Sequence, residues 1–301
     1  MINITILGTS CMVPTKERNH SAIYAEIKGK GILFDCGEGT QRQMNIADIS
    51  RTKVRYIFIS HWHADHTAGL LGLIQTISAS SENPDLNIYG PIGTKAFFEH
   101  LLHASVFENQ INIVVEEFDL PEMKTICKTE GFSVNAVNLE HGTPCIGFNL
   151  IESDKRKMKL KELEAIGLPQ GPQFAQLQKG ETIEYRGNKI TPEEFTTLLK
   201  GKKFTYVADT LFTTNAITLA QNSDLVLSES SYANAHEEKA EQYNHMTASQ
   251  AAHIASSSES KRLLLTHFSQ RYKEVSELVD EAKVIFPNTE AAYDLMKIEL
   301  K

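Results

Sequence analysis

Three histidines and an aspartate fall within the six residues His61-Trp62-His63-Ala64-Asp65-His66. They follow directly on an apolar, β-branched and aromatic run, residues 54–60, that reads as a strand. A lone histidine is ordinarily a surface or core side chain, and His20, His100, His103, His236 and His253 are read that way. Four metal-binding groups packed this closely have no such use. His61 and His63, two residues apart at a strand's end, point to the same side. Asp65 and His66 lie on the turn into a helix predicted over residues 67–78, where Leu70, Leu71, Ile74 and Ile77 have helical spacing. The segment therefore divides its ligands between two neighbouring metal ions.

One segment cannot complete two coordination shells. Three further candidates also follow apparent strands: His141 after residues 132–139, Asp209 after 204–208, and His267 at the end of 262–267. Strand ends of this kind gather side chains along one edge of a sheet. A set of imidazoles and carboxylates without thiolates suits Zn²⁺, with Mn²⁺, Fe²⁺ or Co²⁺ also compatible. Metal binding lowers the pKa of water from about 16 to about 7, and two ions about 3.5–4 Å apart stabilise both the entering and the departing oxygens of a phosphodiester. The chemistry implied is hydrolysis. Asp65 is the carboxylate best placed to accept the water's proton, and His245, in Asn244-His245-Met246-Thr247, is the remaining candidate to protonate the leaving oxygen.

Around this site the chain alternates short β-like runs with helical ones. Strands are predicted at residues 2–7, 22–27, 32–35, 87–90, 111–118, 146–151 and 224–228, with a helix over 247–256 and a final helix at the C-terminus. The alternation breaks at 153–200, which opens with Lys155, Arg156, Lys157, Lys159 and Lys161 and continues into Gly167-Leu168-Pro169-Gln170-Gly171-Pro172. A core made of 1–152 and 201–301, interrupted by that excursion, is a layered α/β fold. With 41% hydrophobic residues, the 301-residue chain can fill such a core. The opening residues alternate like a strand rather than a leader peptide, and no apolar run approaches the ~20 residues that span a bilayer. Cys11, Cys36, Cys127 and Cys145 are scattered, which fits neither a disulfide framework nor a thiolate zinc site and points to reducing cytoplasm. The net charge of −8 sets a condition: if the substrate is a nucleic acid, positive charge must be concentrated locally.

Taken together, these residues resemble the metallo-β-lactamase superfamily and, within it, the short ribonuclease Z family of transfer-RNA 3′-processing endonucleases. Pro14-Thr15-Lys16-Glu17-Arg18-Asn19 resembles that family's Pro-x-Lys-x-Arg-Asn loop. Phe34-Asp35-Cys36-Gly37-Glu38-Gly39 resembles its first motif, His267-Phe268-Ser269-Gln270-Arg271-Tyr272 its last ligand motif, and Leu168-Pro169-Gln170-Gly171-Pro172 its Gly-Pro element. The matches run from the first strand to the last in family order. The resemblance implies a single domain, 1–301, with a four-layer αββα sandwich fold. It implies two zinc ions per subunit: His61, His63 and His141 on one, Asp65, His66 and His267 on the other, and Asp209 bridging. Asp35 would orient the metal loops, Glu229 would orient His245, and Arg18 and Asn19 would lie near the RNA 3′ end.

By the same resemblance, residues 153–200 are an exosite arm for the transfer-RNA elbow. Lys155, Arg156, Lys157, Lys159, Lys161, Gly171 and Pro172 would be its RNA-binding residues, which answers the charge condition. The resemblance further implies a cytoplasmic homodimer acting on precursor tRNA, with no membrane and no organic cofactor. This chain departs from the family at Ala208-Asp209-Thr210-Leu211, where bacterial members have Gly-Asp-Thr-Arg, and at Ser228-Glu229-Ser230-Ser231, where His-Glu-Ala-Thr is usual. Two competing readings are a general phosphodiesterase or small-molecule hydrolase of the same fold, and an RNA-binding protein that has lost catalysis.

Overall fold

The structure, a computed structural model, describes residues 1–80 and 85–301. Two seven-stranded sheets face each other, and each is antiparallel on one side of a middle strand and parallel on the other. In the first sheet Lys297–Leu300, Ile2–Gly8, Ala22–Ile27 and the middle strand Lys30–Phe34 run antiparallel. The parallel side continues through Val54–Phe58, Leu86–Pro91 and Ile113–Phe118. The second sheet repeats the plan. Lys124–Lys128, Phe132–Leu139 and Cys145–Glu152 run antiparallel into the middle strand Lys203–Val207, followed in parallel by Leu225–Glu229, Leu263–Thr266 and Thr289–Ala291.

Parallel strands need crossover connections, and the helices that supply them cover the outer faces. Thr40–Ile46, Leu70–Ser78 and Thr94–Leu102 pack on the first sheet through Met44, Leu70, Leu73, Ile74, Ile77 and Phe98. Thr214–Ala220, Ala248–Ser257 and Ser276–Ile285 pack on the second. The central strands are buried on both faces, which is why Ile32-Leu33-Phe34 and Leu263-Leu264-Leu265 are continuous apolar runs without alternation. Between the sheets Phe34 stacks on Phe58 at 5.4 Å and meets Phe148 at 5.7 Å and Phe204 at 5.9 Å, tying the two inner faces together. Full burial of each such side chain stabilises by roughly 1.5–3 kcal/mol. The four-layer αββα expectation is met.

Several predicted elements differ in detail. The helix expected over 67–78 is two, Ala64–Thr67 and Leu70–Ser78. They part at Gly69, whose N–H donates to Cys36 O and where a Cβ would stand 2.2 Å from Gly37 O. The C-terminal helix is followed by two strands, Thr289–Ala291 and Lys297–Leu300, too short and too mixed to stand out by pattern. Thr247 caps rather than opens its helix, in a capping box with Gln250.

Residues 155–199 stand apart from both sheets. Lys155–Met158 pairs antiparallel with Thr196–Leu199, so this part of the lysine-rich run is a strand. Its period of two leaves Lys155 and Lys157 exposed and half-buries Arg156 and Met158. Between the two strands lie the helices Leu160–Ala165 and Pro172–Gln178, a hairpin of Ile183–Tyr185 with Asn188–Ile190, and the helical turn Pro192–Phe195. Leu163, Leu168, Leu177, Ile183 and Ile190 form a separate small core, joined by Met158, Ile166, Phe174, Tyr185 and Phe195. The two ends of the excursion meet where Glu152 N–H donates to Lys202 O at 2.8 Å. Gly201 is required there, because a Cβ would stand 1.7 Å from Glu152 O.

Candidate metal centre

In both sheets the parallel strands end at the same rim, and the polar residues of interest follow those ends. Asp35 follows Lys30–Phe34, Ser60 and His61 follow Val54–Phe58, and Asp209 follows Lys203–Val207. Glu229 closes Leu225–Glu229 and His267 follows Leu263–Thr266. His141 comes from the turn between Phe132–Leu139 and Cys145–Glu152. The backbone is bent sharply at two of these points: Asp35 has φ 56° and His267 φ 61°. A left-handed conformation costs a non-glycine residue about 1 kcal/mol or more. Here it turns the side chain from the sheet into the cleft.

All seven residues read as ligands converge. Their donor atoms form overlapping groups within 4.8 Å: His61, His63 and His141; His61, His66 and Asp209; Asp65, His66 and His267. His61 Nε2 stands 3.0 Å from His63 Nδ1, which is 3.3 Å from His141 Nε2. On the other side His66 Nε2 is 3.2 Å from His267 Nε2, with Asp65 Oδ2 at 3.5 Å from the latter. Asp209 lies between the groups, its Oδ2 3.7 Å from His61 Nε2 and 3.5 Å from His66 Nε2, its Oδ1 3.4 Å from His267 Nε2.

These residues fit metal ions. Nitrogen ligands held about 2.0–2.1 Å from one tetrahedral zinc stand roughly 3.3 Å apart, close to the spacing of the imidazole nitrogens here. Asp209 Oδ1 is buried without a hydrogen-bond partner, at a cost that metal coordination would remove. Protons are distributed unevenly over the cluster. Burial, reinforced by neighbouring His66, pushes His61 well below its ordinary pKa. Burial also opposes charge on His66 and His267, but Asp209 foremost outweighs it and raises both.

Two buried carboxylates stand behind the cluster. Asp35 Oδ2 accepts from His66 Nδ1 at 2.7 Å and from Tyr206 OH at 2.8 Å. Glu229 Oε1 accepts from His245 Nδ1 at 3.0 Å, from Thr210 N at 3.0 Å and from Met246 N at 3.2 Å. His245 Nε2 is thereby left free, its ring 5.2 Å from that of His141 and 5.5 Å from that of His267. Burial opposes its charge, but Glu229 outweighs burial and raises the pKa to about 9. Asp65 is held by the backbone, Met12 N–H donating to Oδ2 at 2.7 Å from a left-handed residue.

The other expected residues are not among the converging donors, although Arg18 lies over Phe268, next to His267. Arg18 donates to Tyr272 O at 2.7 Å and Lys273 O at 3.0 Å, and Asn19 donates to Glu38 O at 2.7 Å; both pin the loop to the body. On the arm, Lys155 pairs with Glu152, Arg156 with Glu193 at 2.8 Å, and Lys159 donates to Glu194 O. Gly171 faces open space and Pro172 opens a short helix. Met12, Ser60, Ser231 and, through its backbone oxygen, Asn244 touch ligand residues, and Tyr206 touches Asp35; the sequence reading assigned none of them a role. Ser60 alone carried a signal, as the residue immediately before His61.

Comparison with known proteins brings three kinds of likeness. A family model described as Anti-Pycsar protein Apyc1 matches residues 2–158. That half contains His61 to His66 and His141 but ends before Asp209, His245 and His267. The ribonuclease Z of Archaeoglobus fulgidus is 38% identical over 304 residues, covering 100% of this chain and 98% of that protein. The solved human tRNase Z, short form, aligns with a TM-score of 0.73 at 27% identity over 99% of both chains. A metallo-β-lactamase fold protein from Bacillus subtilis aligns with a TM-score of 0.70 over 99% of this chain and 98% of that one; at 17% identity it speaks for the fold alone.

Proposed function

The chain belongs to the ribonuclease Z family, and on that footing we propose that it removes the 3′ trailer from precursor transfer RNA, cutting after the discriminator base. What carries the reading is that the likeness runs through the arm as well as the centre, at 38% identity over 100% of the chain. A hydrolase of small phosphodiesters needs the same centre but has no use for an arm.

Two zinc ions are the proposed metals, one on His61, His63 and His141, the other on Asp65, His66 and His267, with Asp209 between them. When bound they would lower the pKa of water and draw charge from the phosphodiester oxygens. The protein's own groups manage the protons. Asp65, held by Met12 N–H, accepts the proton that water loses as its oxygen bonds to phosphorus. His245, kept protonated by Glu229 at neutral pH, gives its Nε2 proton to the departing O3′ of the transfer RNA. The bond broken is P–O3′, which leaves a 3′-hydroxyl on the transfer RNA and a 5′-phosphate on the trailer.

The arm is the proposed grip on the transfer-RNA elbow. Residues 153–200 hold nine basic and seven acidic side chains, against −8 for the whole chain, so the arm is the cationic part of an anionic molecule. Lys157 and Lys161 are its better candidates for phosphate, because Lys155, Arg156 and Lys159 have partners within the chain. A homodimer, in which each arm serves the other subunit's centre, and a cytoplasmic location complete the proposal. The four unpaired cysteines suit a reducing compartment, and among the described residues no helix is long and apolar enough to cross a membrane.

The test is cleavage of a 3′-extended, 5′-matured precursor transfer RNA, with metal and with chelator, mapping the ends. A metal-dependent cut at the discriminator supports the proposal. Hydrolysis of a small phosphodiester without any such cut would hand the centre to the general-hydrolase reading.

A further inference from the structure

The two buried carboxylates are arranged alike, and the likeness extends to a serine beside each. Asp35 bonds one histidine directly, His66. It also holds Ser60 twice: Ser60 N–H donates to Oδ1 at 2.7 Å and Ser60 Oγ–H to Oδ2 at 2.8 Å. The same Oγ stands 3.0 Å from His61 Nδ1. Glu229 likewise bonds one histidine directly, His245, and holds Ser231 twice, by N–H at 3.1 Å and by Oγ at 2.8 Å, both on Oε2. Ser231 Oγ stands 3.0 Å from His267 Nδ1. The first unit lies at the rim of one sheet and the second at the rim of the other.

We infer that Ser60 and Ser231 are matched positioning residues, each relaying a buried carboxylate to a metal-binding histidine and fixing the tautomer that leaves Nε2 free for the ion. The chemistry follows from counting protons. A serine hydroxyl has one hydrogen to give and two lone pairs to accept with. At Ser60 the charged carboxylate takes that hydrogen, since hydrogen bonds to an ionised acceptor are the stronger ones. At Ser231 the other oxygen in reach is His267 O at 3.1 Å, so the hydrogen goes to an oxygen in either case. The imidazole nitrogen facing each hydroxyl must then be the donor. Nδ1 of His61 and of His267 therefore carries a proton, which leaves Nε2 as the nitrogen offered to the ion, on the side where His61 meets His63 and Asp209, and His267 meets His66, Asp65 and Asp209.

The arrangement also explains why two carboxylates suffice for four histidines. Each reaches one ring itself and a second through its serine. Both serines are fully buried, so each hydroxyl has no water to turn to and the relay holds one orientation. Ser230 supplies the contrast within the same segment: it is equally buried, but its Oγ donates only to Thr266 O and touches no histidine.

The inference rests on the metal-centre reading above, and Zn²⁺ affinity tests it without RNA. The full chain is stripped, then titrated with Zn²⁺ against a chromophoric chelator, as wild type and as Ser60→Ala, Ser231→Ala and Ser230→Ala. Loss of a partner behind a ligand typically weakens metal binding by about 10–100-fold, and that loss is expected in the first two variants, with Ser230→Ala within about twofold of wild type. Equal affinity in all four proteins would overturn the relay alone. Failure of the wild-type chain to hold zinc would sink the metal centre and the relay with it. If a variant does not fold, histidine ¹⁵N spectra of the zinc-loaded wild type decide: Nδ1–H on both His61 and His267 supports the relay, and Nε2–H on either overturns it.

Discussion

The rim that gathers the histidines and the arm that gathers the lysines are both polar, yet they are built in opposite ways. At the rim the most deeply set groups are fully enclosed, Asp35 and Glu229 at 0% exposure and Asp209 and His267 at 2%, while His63 reaches solvent. Each is held by partners from distant parts of the chain, as Tyr206 and Ser60 hold Asp35. On the arm the charges stand in solvent over a core of five buried aliphatic side chains. Burial makes every unsatisfied group at the rim expensive, so each buried polar atom there needs a partner. Exposure makes the arm's ion pairs individually weak and exchangeable with phosphate. On the function proposed above, the contrast separates chemistry from binding, and each half of it can be broken independently.

The largest expected effect is at the rim. Asp65→Ala removes the proposed proton acceptor, and cleavage should fall by about 10²–10⁴-fold or more in single-turnover assays, with the circular dichroism spectrum unchanged. Retained turnover would end the role assigned to Asp65. Excising the arm comes next. Because Glu152 and Lys202 are already hydrogen-bonded neighbours, an Asn-Gly turn can replace 153–200 without moving the sheet. Losing a second binding module should cost on the order of 10²-fold on precursor transfer RNA and leave hydrolysis of a small chromogenic phosphodiester intact. Equal loss of both activities would erase the distinction between the two regions.

The third test sharpens the rim by pH. Asp209 and its neighbours raise the pKa of His66 and His267, so both hold protons that an entering ion must displace. Metal affinity should therefore fall as pH is lowered below those raised values, by about tenfold per pH unit for each proton displaced. Calorimetry in buffers of different ionisation enthalpy measures the protons directly, and a count of zero would contradict the charge distribution described. On the arm, Leu177→Ala removes a fully buried side chain from a small core and should cost about 2–5 kcal/mol locally. Hydrogen exchange should rise across 155–199 and stay unchanged in the sheets. Smallest is Lys157→Ala with Lys161→Ala, expected to lower the slope of log affinity against log salt by about 1–2 while leaving the cleavage position unchanged.

The positions of the side chains that converge in the candidate metal centre were legible because strand ends are legible. An apolar run that stops at a histidine or aspartate announces both a strand and the rim where it ends, and His61, His141, Asp209 and His267 all fit that form. Glu229 behind His245 needed the family resemblance as well as the sequence. The partners of Ser60 and Ser231 could not be read, since a serine's partner is set by what the fold brings to it: Asp35 lies 25 residues before Ser60, and His267 lies 36 after Ser231. Lys155–Met158 was read from its charge, whereas its pairing with Thr196–Leu199 set its conformation. Arg18 and Asn19 were placed near the RNA 3′ end by resemblance alone, and what the structure adds is that their side chains bond the chain's own backbone.

By itself the sequence determined which chemistry is possible here and in which layers the chain folds, because ligand type and hydrophobic period are local properties that each segment carries with it. Only the tertiary structure decided which donor meets which acceptor: that two carboxylates serve four histidines, that three of the five lysine-run charges are already engaged, and that Asp209 lies between both ligand groups. Those pairings depend on contacts between segments remote in sequence. Burial selects them, by penalising every polar atom that fails to find a partner.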